Sequence, residues 1–138
     1  METKSITIRK LKFMEIPSVI KFAKTSFNEE GFGYHFAMKS SFIFTLAYIF
    51  NKVRIFIALD NNKIIGYAFI AHFRKNNLGI LVKKEYCGKG IGGRLMKNLL
   101  EGQKDVWLSV EEKNTKALNL YLKMGFKCHT KVWRMKKP

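Results

Sequence analysis

The chain has 138 residues, of which 47% are hydrophobic, and its 26 lysines and arginines against 10 aspartates and glutamates give a formal net charge of +16. This length predicts one domain over residues 1–138, and the apolar content excludes a disordered chain. The charge favours anionic partners such as a phosphorylated cofactor or nucleic acid. Lysines spread along the whole chain are equally explained by a solvated cationic surface, so the charge by itself assigns no function.

No apolar run reaches the roughly 18 residues of a membrane-spanning helix, and the first residues lack the apolar core of a signal peptide. We therefore expect a cytoplasmic protein without a membrane partner. The two cysteines, Cys87 and Cys128, have no CxxC spacing and no histidine cluster beside them. The sequence thus predicts free thiols and no metal site.

The first half of the chain predicts a strand, two helices and a hairpin. Residues Ser5–Leu11 alternate as a half-buried strand does, and from Met14 to Phe27 apolar residues recur every three to four positions. A second, strongly apolar helix is expected over Tyr34–Phe50. Val53–Leu59 and Lys63–Phe73 are rich in Ile, Phe and Val, and the Asp-Asn-Asn between them suits a tight hairpin turn.

The second half of the chain alternates between strand and helix patterns. The whole order is then βααββ followed by βαβαβ, which predicts an α/β fold with a mixed sheet flanked by helices. The strands are expected over Leu78–Val82, Val106–Val110 and Phe126–Met135, and the helices over Gly90–Gln103 and Thr115–Met124.

The junction between Leu81 and Leu95 is the most informative segment, because a strand there runs through a glycine-rich turn into an amphipathic helix. Glycines let backbone amides converge on a ligand, and a helix N-terminus adds unpaired donors and the positive end of the helix dipole. Lys89 and Arg94 add positive charge. The sequence therefore predicts an anion-binding loop, although a glycine pair alone is equally compatible with a simple chain reversal.

Two other phosphate-binding motifs fit this segment less well. Residues Gly88–Gly93 satisfy G-x-G-x-x-G, the dinucleotide fingerprint, but that loop follows the first strand of its domain and needs several further βαβ units. Here the loop lies two-thirds of the way along the chain. A Walker P-loop is excluded because Lys89 is followed by Gly90 rather than by Ser or Thr.

Two motifs in the right order resemble the GCN5-related N-acetyltransferase (GNAT) superfamily. Gly90 and Gly92 match the family signature Gln/Arg-x-x-Gly-x-Gly/Ala, with Cys87 in place of the usual Gln or Arg. Residues Asn114–Phe126 are similar to the family's N-x-x-A-x-x-x-Y-x-x-x-G-F helix. The resemblance implies the GNAT fold, with a splayed mixed sheet, and an acetyl-CoA-dependent N-acetyltransferase.

By this resemblance, acetyl-CoA would lie between the strand that ends near Val82 and the strand that begins at Val106. The backbone of Leu81 and Val82 would pair with its pantetheine arm, Asn114 would contact it from the following helix, and Tyr121 would be the general acid. The diphosphate would lie on the loop, whose expected cofactor-binding residues are Cys87, Gly88, Lys89, Gly90, Ile91, Gly92 and Gly93.

Direct transfer to an amine requires a neutral nitrogen and an acid for the leaving thiolate. The unperturbed pKa of a phenol is about 10 and that of a thiol about 8.5, so protonation by Tyr121 is energetically reasonable. The general base is not identified, because Leu78–Val82 has no ionisable side chain where many relatives have Glu. His72 and Glu111 are candidates, and a water relay or an acceptor that arrives deprotonated would need neither.

The acceptor would be selected by the first two helices and the hairpin. The segment from Leu108 onwards is similar to ribosomal-protein-type Nα-acetyltransferases, which favours a protein N-terminus or a lysine over a small amine. The alternative is a non-catalytic basic module that binds nucleic acid, and a homodimer is compatible with the family. The aromatic candidates for an acceptor pocket are Phe27, Phe32, Tyr34, His35 and Phe36.

Overall fold

The computed structural model describes residues 5–30, 41–73, 75–133 and 135–138, which form a five-stranded sheet with helices on both faces. The expected α/β class with a mixed sheet is confirmed. The strands are β1 (Thr7–Lys10), β2 (Val53–Asp60), β3 (Lys63–His72), β4 (Asn76–Val82) and β5 (Val106–Trp107). The helices are α1 (Ile16–Glu30), α2 (Ser41–Ile49), α3 (Ile91–Leu100) and α4 (Thr115–Lys123), with 3₁₀ turns at Phe13–Glu15 and Lys84–Tyr86.

The strands lie in chain order across the sheet, and only the last pair is parallel. β2 and β3 form the expected hairpin, and its turn residues Asn61 and Asn62 have φ of +47° and +62°, the backbone that such a turn requires. β3 and β4 are paired over seven residues, from Gly66 to His72 on β3. β4 and β5 are paired only at their first two residues, so the two strands separate beyond Asn77.

Each face of the sheet has its own hydrophobic core, because successive side chains of a strand point to opposite faces. On β3, Tyr67 and Phe69 pack with residues of α1 and α2, whereas Ala68 and Ile70 pack with residues of α3 and with Tyr121 of α4. The two helical pairs therefore cover opposite sides of one sheet, and the gap between β4 and β5 is bordered by the core that contains Tyr121.

The start of α1 is tied to β1 by charged groups. The guanidinium of Arg9 forms an ion pair with Glu15, and the Glu15 carboxylate also accepts the backbone N–H of Lys12 at 2.9 Å. The hydrogen bond from Arg9 is the main reason that the pKa of Glu15 falls to about 2. This contact fixes the first strand against the turn that leads into α1.

The strand expected over Phe126–Met135 is wrong. Residues 126–133 and 135–138 form neither helix nor strand, and Val132, Trp133 and Met135 are 88%, 89% and 90% exposed. Alternating apolar and polar residues form a strand only where a neighbouring strand accepts and donates the backbone hydrogen bonds. The burial of apolar side chains must also offset the loss of chain entropy. β5 ends at Trp107 and these side chains lie in solvent, so neither condition is met.

Two further observations concern the helices. The expected helix over Tyr34–Phe50 is observed from Ser41, and its residues 34–40 lie outside the described part of the chain. Among the helices of residues 5–30, 41–73, 75–133 and 135–138, none is long and apolar enough to cross a bilayer.

Candidate functional site

The glycine-rich loop joins the end of β4 to the start of α3. Gly88 and Gly90 both have φ of +77°, a left-handed backbone that costs an L-amino acid roughly 1–2 kcal/mol. A Cβ added to either glycine would meet no atom within 4 Å, so the space beside the loop is open. The two glycines therefore turn the chain and also leave its backbone accessible to a ligand. We call residues Cys87–Gly93 the cradle.

The cradle ends in the unpaired amides of α3. The first backbone bond at this end of the helix runs from the N–H of Arg94 to the carbonyl oxygen of Gly90, at 3.1 Å. The N–H groups of Ile91, Gly92 and Gly93 consequently have no acceptor within the helix. Together with the positive end of the helix dipole, these donors make the cradle a suitable site for an anion.

The two basic side chains that the sequence places near the cradle take different directions. Lys89 is exposed, and its Nζ lies 5.3 Å from the centre of the Tyr86 ring. Arg94 instead donates from Nη2 to the carbonyl oxygen of Ile6 at 3.0 Å, which ties α3 to the segment before β1. Lys89 therefore adds positive charge at the cradle, and the Arg94 side chain also has a structural contact with the segment before β1.

The register of β3 and β4 distinguishes the backbone of Leu81 from that of Val82. The N–H of Lys83 donates to the carbonyl oxygen of Ile65 at 2.8 Å, next to the opposed residues Gly66 and Val82. Because hydrogen-bonded and non-hydrogen-bonded pairs alternate in an antiparallel ladder, Leu81 bonds to β3 and Val82 directs its N–H and C=O to the opposite edge. Val82 thus faces the gap, and the expectation for Leu81 is not supported by this register.

Cys87 contributes to the shape of the loop. Its amide donates to the carbonyl oxygen of Lys84 at 3.1 Å, and its Sγ lies 3.6 Å from the carbonyl oxygens of Val82 and Lys83. The thiol is free and exposed. The backbone N–H that the family resemblance assigned to a ligand is therefore used inside the 3₁₀ turn, and Gly88 is the first residue of the cradle that is open.

Tyr121 lies in α4 and is only 8% exposed. Its core cluster includes Ile80 and Val82 of β4 and Leu108, which follows β5, so the ring belongs to the core that borders the gap. Its hydroxyl makes no hydrogen bond with the described residues. Burial raises the pKa of Tyr121 above its ordinary value of 10, so the phenol keeps its proton at neutral pH.

Gly92 and Gly93 have a packing role that the sequence motif did not reveal. A Cβ on Gly92 would lie 3.2 Å from Cδ2 of Leu120, and one on Gly93 would lie 3.9 Å from Cδ1 of the same leucine. The absence of side chains lets α4 approach the first turn of α3. Since Tyr121 follows Leu120, this close approach helps to set the position of the phenol relative to the cradle.

Asn114 caps α4. Its Oδ1 accepts the N–H of Ala117 at 3.3 Å, and its own N–H donates to the carbonyl oxygen of Glu111 at 2.9 Å. The side-chain NH₂ group remains as the donor that could contact a ligand. The structure therefore shows a capping role for Asn114, and its contact with a cofactor stays a prediction.

The side chains of both candidates for the general base have other partners in the structure. The Nδ1 of His72 is 2.9 Å from Oδ1 of Asn76, whose Nδ2 donates to the carbonyl oxygen of Lys104. Asn76 begins β4 and Val82 ends it, which separates His72 from the cradle by about 20 Å at the usual rise of a strand. Glu111 forms an exposed ion pair with Lys113.

The sequence reasoning missed a polar pair beneath the loop. The hydroxyl of Tyr86 donates to Oδ2 of Asp60 at 2.6 Å, and this hydrogen bond raises the pKa of Tyr86. Asp60 is buried, and its Oδ1 has no hydrogen-bond partner in the described structure. Nothing in the local sequence pattern indicates this contact, because the two residues are 26 positions apart.

The expected acceptor pocket lies mostly outside the described residues, because Phe32, Tyr34, His35 and Phe36 are there. Phe27 belongs to α1. A surface cavity of about 700 Å³ opens between α1 and α2, and its lining includes Ile20, Lys24 and Phe42. The selection of the acceptor by the first two helices therefore stays a prediction.

The region that contains β4, the cradle, α3 and α4 lies within the part of the chain that matches a known family. The chain matches the acetyltransferase (GNAT) domain over residues 51–128, more than half of its length. It therefore belongs to the GNAT acetyltransferase family, as the two motifs predicted. A comparison with curated protein sequences gives no match.

Solved structures share the fold at low sequence identity. A predicted acetyltransferase from Clostridium acetobutylicum, solved with acetyl-CoA, is 19% identical over 96% of each chain, with a TM-score of 0.74. The PaiA N-acetyltransferase from Thermoplasma acidophilum, in complex with coenzyme A, is 22% identical over 93% of each chain, with a TM-score of 0.71.

A third structure, AAC(6')-Iy in complex with the bisubstrate analogue CoA-S-monomethyl-acetylneamine, is 14% identical. The match covers 97% of this chain and 99% of that one, with a TM-score of 0.71. These likenesses confirm the GNAT fold. The ribosomal-protein subtype is not supported by any of the three.

Proposed function

We propose that this GNAT protein is a single-domain, acetyl-CoA-dependent N-acetyltransferase that moves the acetyl group directly to a primary amine. The observation that carries the proposal is that the unpaired edge of β4 and the cradle follow each other in the chain. The edge of β4 that lacks a strand partner beyond Asn77 leads directly into the cradle at the start of α3. An extended ligand with an anionic end fits this arrangement, and coenzyme A has that form.

The chain's own groups fit the two parts of the cofactor. The N–H and C=O of Val82 have no strand partner, and they can pair with an extended amide-containing arm as a neighbouring strand would, although the carbonyl oxygen also has the Cys87 Sγ at 3.6 Å. The amides of Gly88 and of the first turn of α3 can hold a diphosphate, and Lys89 adds a positive charge. Bound acetyl-CoA would supply the activated acetyl group.

Tyr121 is the residue that we assign as general acid. Its buried phenol remains protonated at neutral pH, and it lies in the core that borders the gap. Transfer of that proton to a departing thiolate is reasonable, since the ordinary pKa values of a phenol and a thiol are about 10 and about 8.5. The free hydroxyl is available to a ligand because no described residue accepts it.

Removal of the proton from the acceptor amine is assigned to water or to the bulk solvent. The residues of β4 are Asn, Asn, Leu, Gly, Ile, Leu and Val, so no ionisable side chain of this strand faces the gap. His72 is paired with the first residue of β4, at the far end of the strand from Val82, and the Glu111 side chain forms an ion pair with Lys113. The reaction rate should therefore rise with pH until the acceptor amine is neutral.

The acceptor is proposed to be an amine on a protein, an N-terminus or a lysine, rather than a polycationic small molecule. A net charge of +16 repels polycations and attracts acidic surfaces. The acetylneamine-based analogue bound to AAC(6')-Iy shows that a small acceptor occurs on this fold, so small amines belong in the same screen.

Calorimetric titration with acetyl-CoA at moderate salt tests the proposed function. We expect saturable one-to-one binding of acetyl-CoA and of CoA, because both contain the diphosphate and the pantetheine arm. NAD and a short DNA duplex are the controls for a general affinity for anions. Binding of DNA without binding of acetyl-CoA would refute the proposal and would favour the nucleic-acid-binding alternative.

A further inference from the structure

One hydrogen bond connects Tyr86, the residue immediately before the cradle, to the turn of the β2–β3 hairpin. Asp60 is the last residue of β2, and Tyr86 is the last residue of the 3₁₀ turn immediately before the cradle. The tyrosine hydroxyl donates to Oδ2 of the aspartate at 2.6 Å. A charge-assisted bond of this length is among the stronger hydrogen bonds in proteins.

The position of Asp60 is costly for a residue that only ends a strand. The side chain is 9% exposed, and its second oxygen, Oδ1, is buried without a hydrogen-bond partner among the described residues. An asparagine, serine or glycine would serve the turn equally well without a buried carboxylate. The buried carboxylate is explained by its contact with the Tyr86 hydroxyl.

Other contacts of this segment with the sheet come from its neighbours: the N–H of Lys83 donates to the carbonyl oxygen of Ile65, and the Cys87 Sγ lies 3.6 Å from the carbonyl oxygen of Val82. The backbone bonds from Tyr86 to Lys83 and from Cys87 to Lys84 are local to the 3₁₀ turn. The ring of Tyr86 packs against the core on the α3 side and also supports Lys89, whose Nζ lies 5.3 Å from the ring centre. The contact with Asp60 joins the hairpin turn to the tyrosine that supports Lys89, so it helps to locate both the backbone entering the cradle and the Lys89 ammonium group.

We propose that Asp60 and Tyr86 are positioning residues that hold the cradle in the conformation that binds the diphosphate of coenzyme A. This inference rests on the proposed function. It assigns to the hairpin turn a role in cofactor affinity, although neither residue needs to touch the cofactor. The effect is specific to the anionic part of the ligand, because the hydrogen bond supports the cradle and not the edge of β4.

The decisive experiment compares CoA with pantetheine, which lacks the diphosphate and the nucleotide. Both ligands are titrated into the wild-type protein and into the Tyr86→Phe variant. We expect the Kd for CoA to rise roughly five- to tenfold in Tyr86→Phe, part of the contribution of one charge-assisted hydrogen bond because this bond acts on the cofactor through the loop, with the Kd for pantetheine unchanged. A general loss of stability would weaken the binding of both ligands, whereas loss of the positioning role should weaken the binding of CoA alone.

Matched variants separate positioning from folding. Tyr48 is half-buried and donates its hydroxyl to the carbonyl oxygen of Leu11 at 2.8 Å, on the other side of the sheet. Tyr48→Phe removes an equivalent hydrogen bond and should leave the affinity for CoA unchanged. Asp60→Asn keeps an acceptor for Tyr86 and should bind CoA within about twofold of wild type, whereas Asp60→Ala should weaken binding as Tyr86→Phe does.

Three outcomes would overturn the inference. Wild-type binding of CoA with an unchanged Kd in Tyr86→Phe would refute the positioning role alone. Equal weakening of CoA and pantetheine would show a general defect of the fold instead. Failure of the wild-type protein to bind CoA would refute the proposed function, and this inference with it.

Discussion

The two edges of β4 differ in a way that separates stability from function. On one edge β3 is paired with β4 over seven residues, and on the other edge β5 is paired over two. The same strand therefore completes an antiparallel sheet and also presents backbone groups without a strand partner. The proposed cofactor site lies here because the hydrogen bonding of the sheet stops while the strand continues.

The side chains of the antiparallel region are also more deeply buried than those beside the gap. The central residues of β2 and β3, such as Ile57 and Ile70, are fully buried, whereas Ile80, Val82 and Leu108 beside the gap are only partly buried. Substitutions in the antiparallel region should change the free energy of unfolding and leave ligand binding intact. Substitutions around the gap should do the reverse, and the following predictions test this difference.

The largest effect on stability is expected in the antiparallel region. Ile57 has no exposed surface and lies in the core between the sheet and α1 and α2. Ile57→Ala should lower the free energy of unfolding by about 3 kcal/mol, because it removes buried methyl groups and leaves a cavity. Denaturant unfolding measures the loss, and the Kd for CoA serves as the control. A loss below about 1 kcal/mol would contradict the assignment of this region as the main core.

The largest effect on chemistry is expected at Tyr121. Tyr121→Phe should lower kcat by about 100-fold or more, the usual effect of removing a general acid, while the Kd for acetyl-CoA changes less than about twofold. Tyr48→Phe is the matched control, because it removes a tyrosine hydroxyl on the other face of the sheet. If the turnover of Tyr121→Phe equals that of wild type, Tyr121 has no part in proton transfer.

The pH dependence gives a second test of Tyr121. Burial raises its pKa, so the protonated phenol that acts as an acid persists through neutral pH. The kcat of the wild-type enzyme should therefore show no loss that depends on Tyr121 until the pH exceeds about 10. A falling limb near pH 8 that disappears in Tyr121→Phe would show that the phenol ionises too early for this role.

The cradle is tested by two glycines with the same backbone conformation. Gly90 in the cradle and Gly102 after α3 have φ of +77° and +71°, and a Cβ on either would meet no protein atom within 4 Å. Alanine at each position should cost about 1 kcal/mol of stability through backbone strain. Only Gly90→Ala should also raise the Kd for CoA, by about tenfold, because its methyl group enters the ligand space. An equal Kd for the two variants would argue against the cradle as the diphosphate site.

The smallest effect is expected for the ion pair at the start of α1. The pKa of Glu15 is lowered from 4.5 to about 2, so its folded form is stabilised by Arg9 when the carboxylate is charged. That stability is present above pH 4.5 and is lost as the pH falls towards 2. Glu15→Gln should cost roughly 1 kcal/mol at pH 7, because the pair is partly exposed to solvent, and clearly less near pH 2, where the carboxyl is partly protonated. Unfolding at both pH values measures it, and a cost that does not depend on pH would exclude this linkage.

Much of the fold was predictable from local patterns. The hairpin, β4, α3 and α4 follow from alternation, helical periodicity and turn residues, and their observed bounds differ from the expected ones by a few residues at most. The cradle was predictable because positive φ at Gly88 and Gly90 and the helix that follows are encoded within ten residues of chain. The family motif added Tyr121, which periodicity alone would have assigned to the core.

The errors have a common physical origin. The residues from Phe126 onwards alternate, yet they form no strand because a strand needs a partner, and no local pattern records whether one is present. Arg94 was expected to add positive charge beside the cradle, and no local pattern indicates that its guanidinium also contacts Ile6, which is distant in the chain. Leu81 and Val82 were expected to act together, but the register with β3 directs only Val82 to the gap.

The sequence by itself determined most of the elements, the glycine-rich turn and the family, because these depend on residues within one turn or one strand of each other. The tertiary structure alone decided where β5 leaves β4, which backbone groups face the gap, and that Asp60 supports Tyr86. Each of these is a relation between segments far apart in the chain. Such relations depend on how the whole sheet packs against its helices, and for that reason the site is complete only in the folded protein.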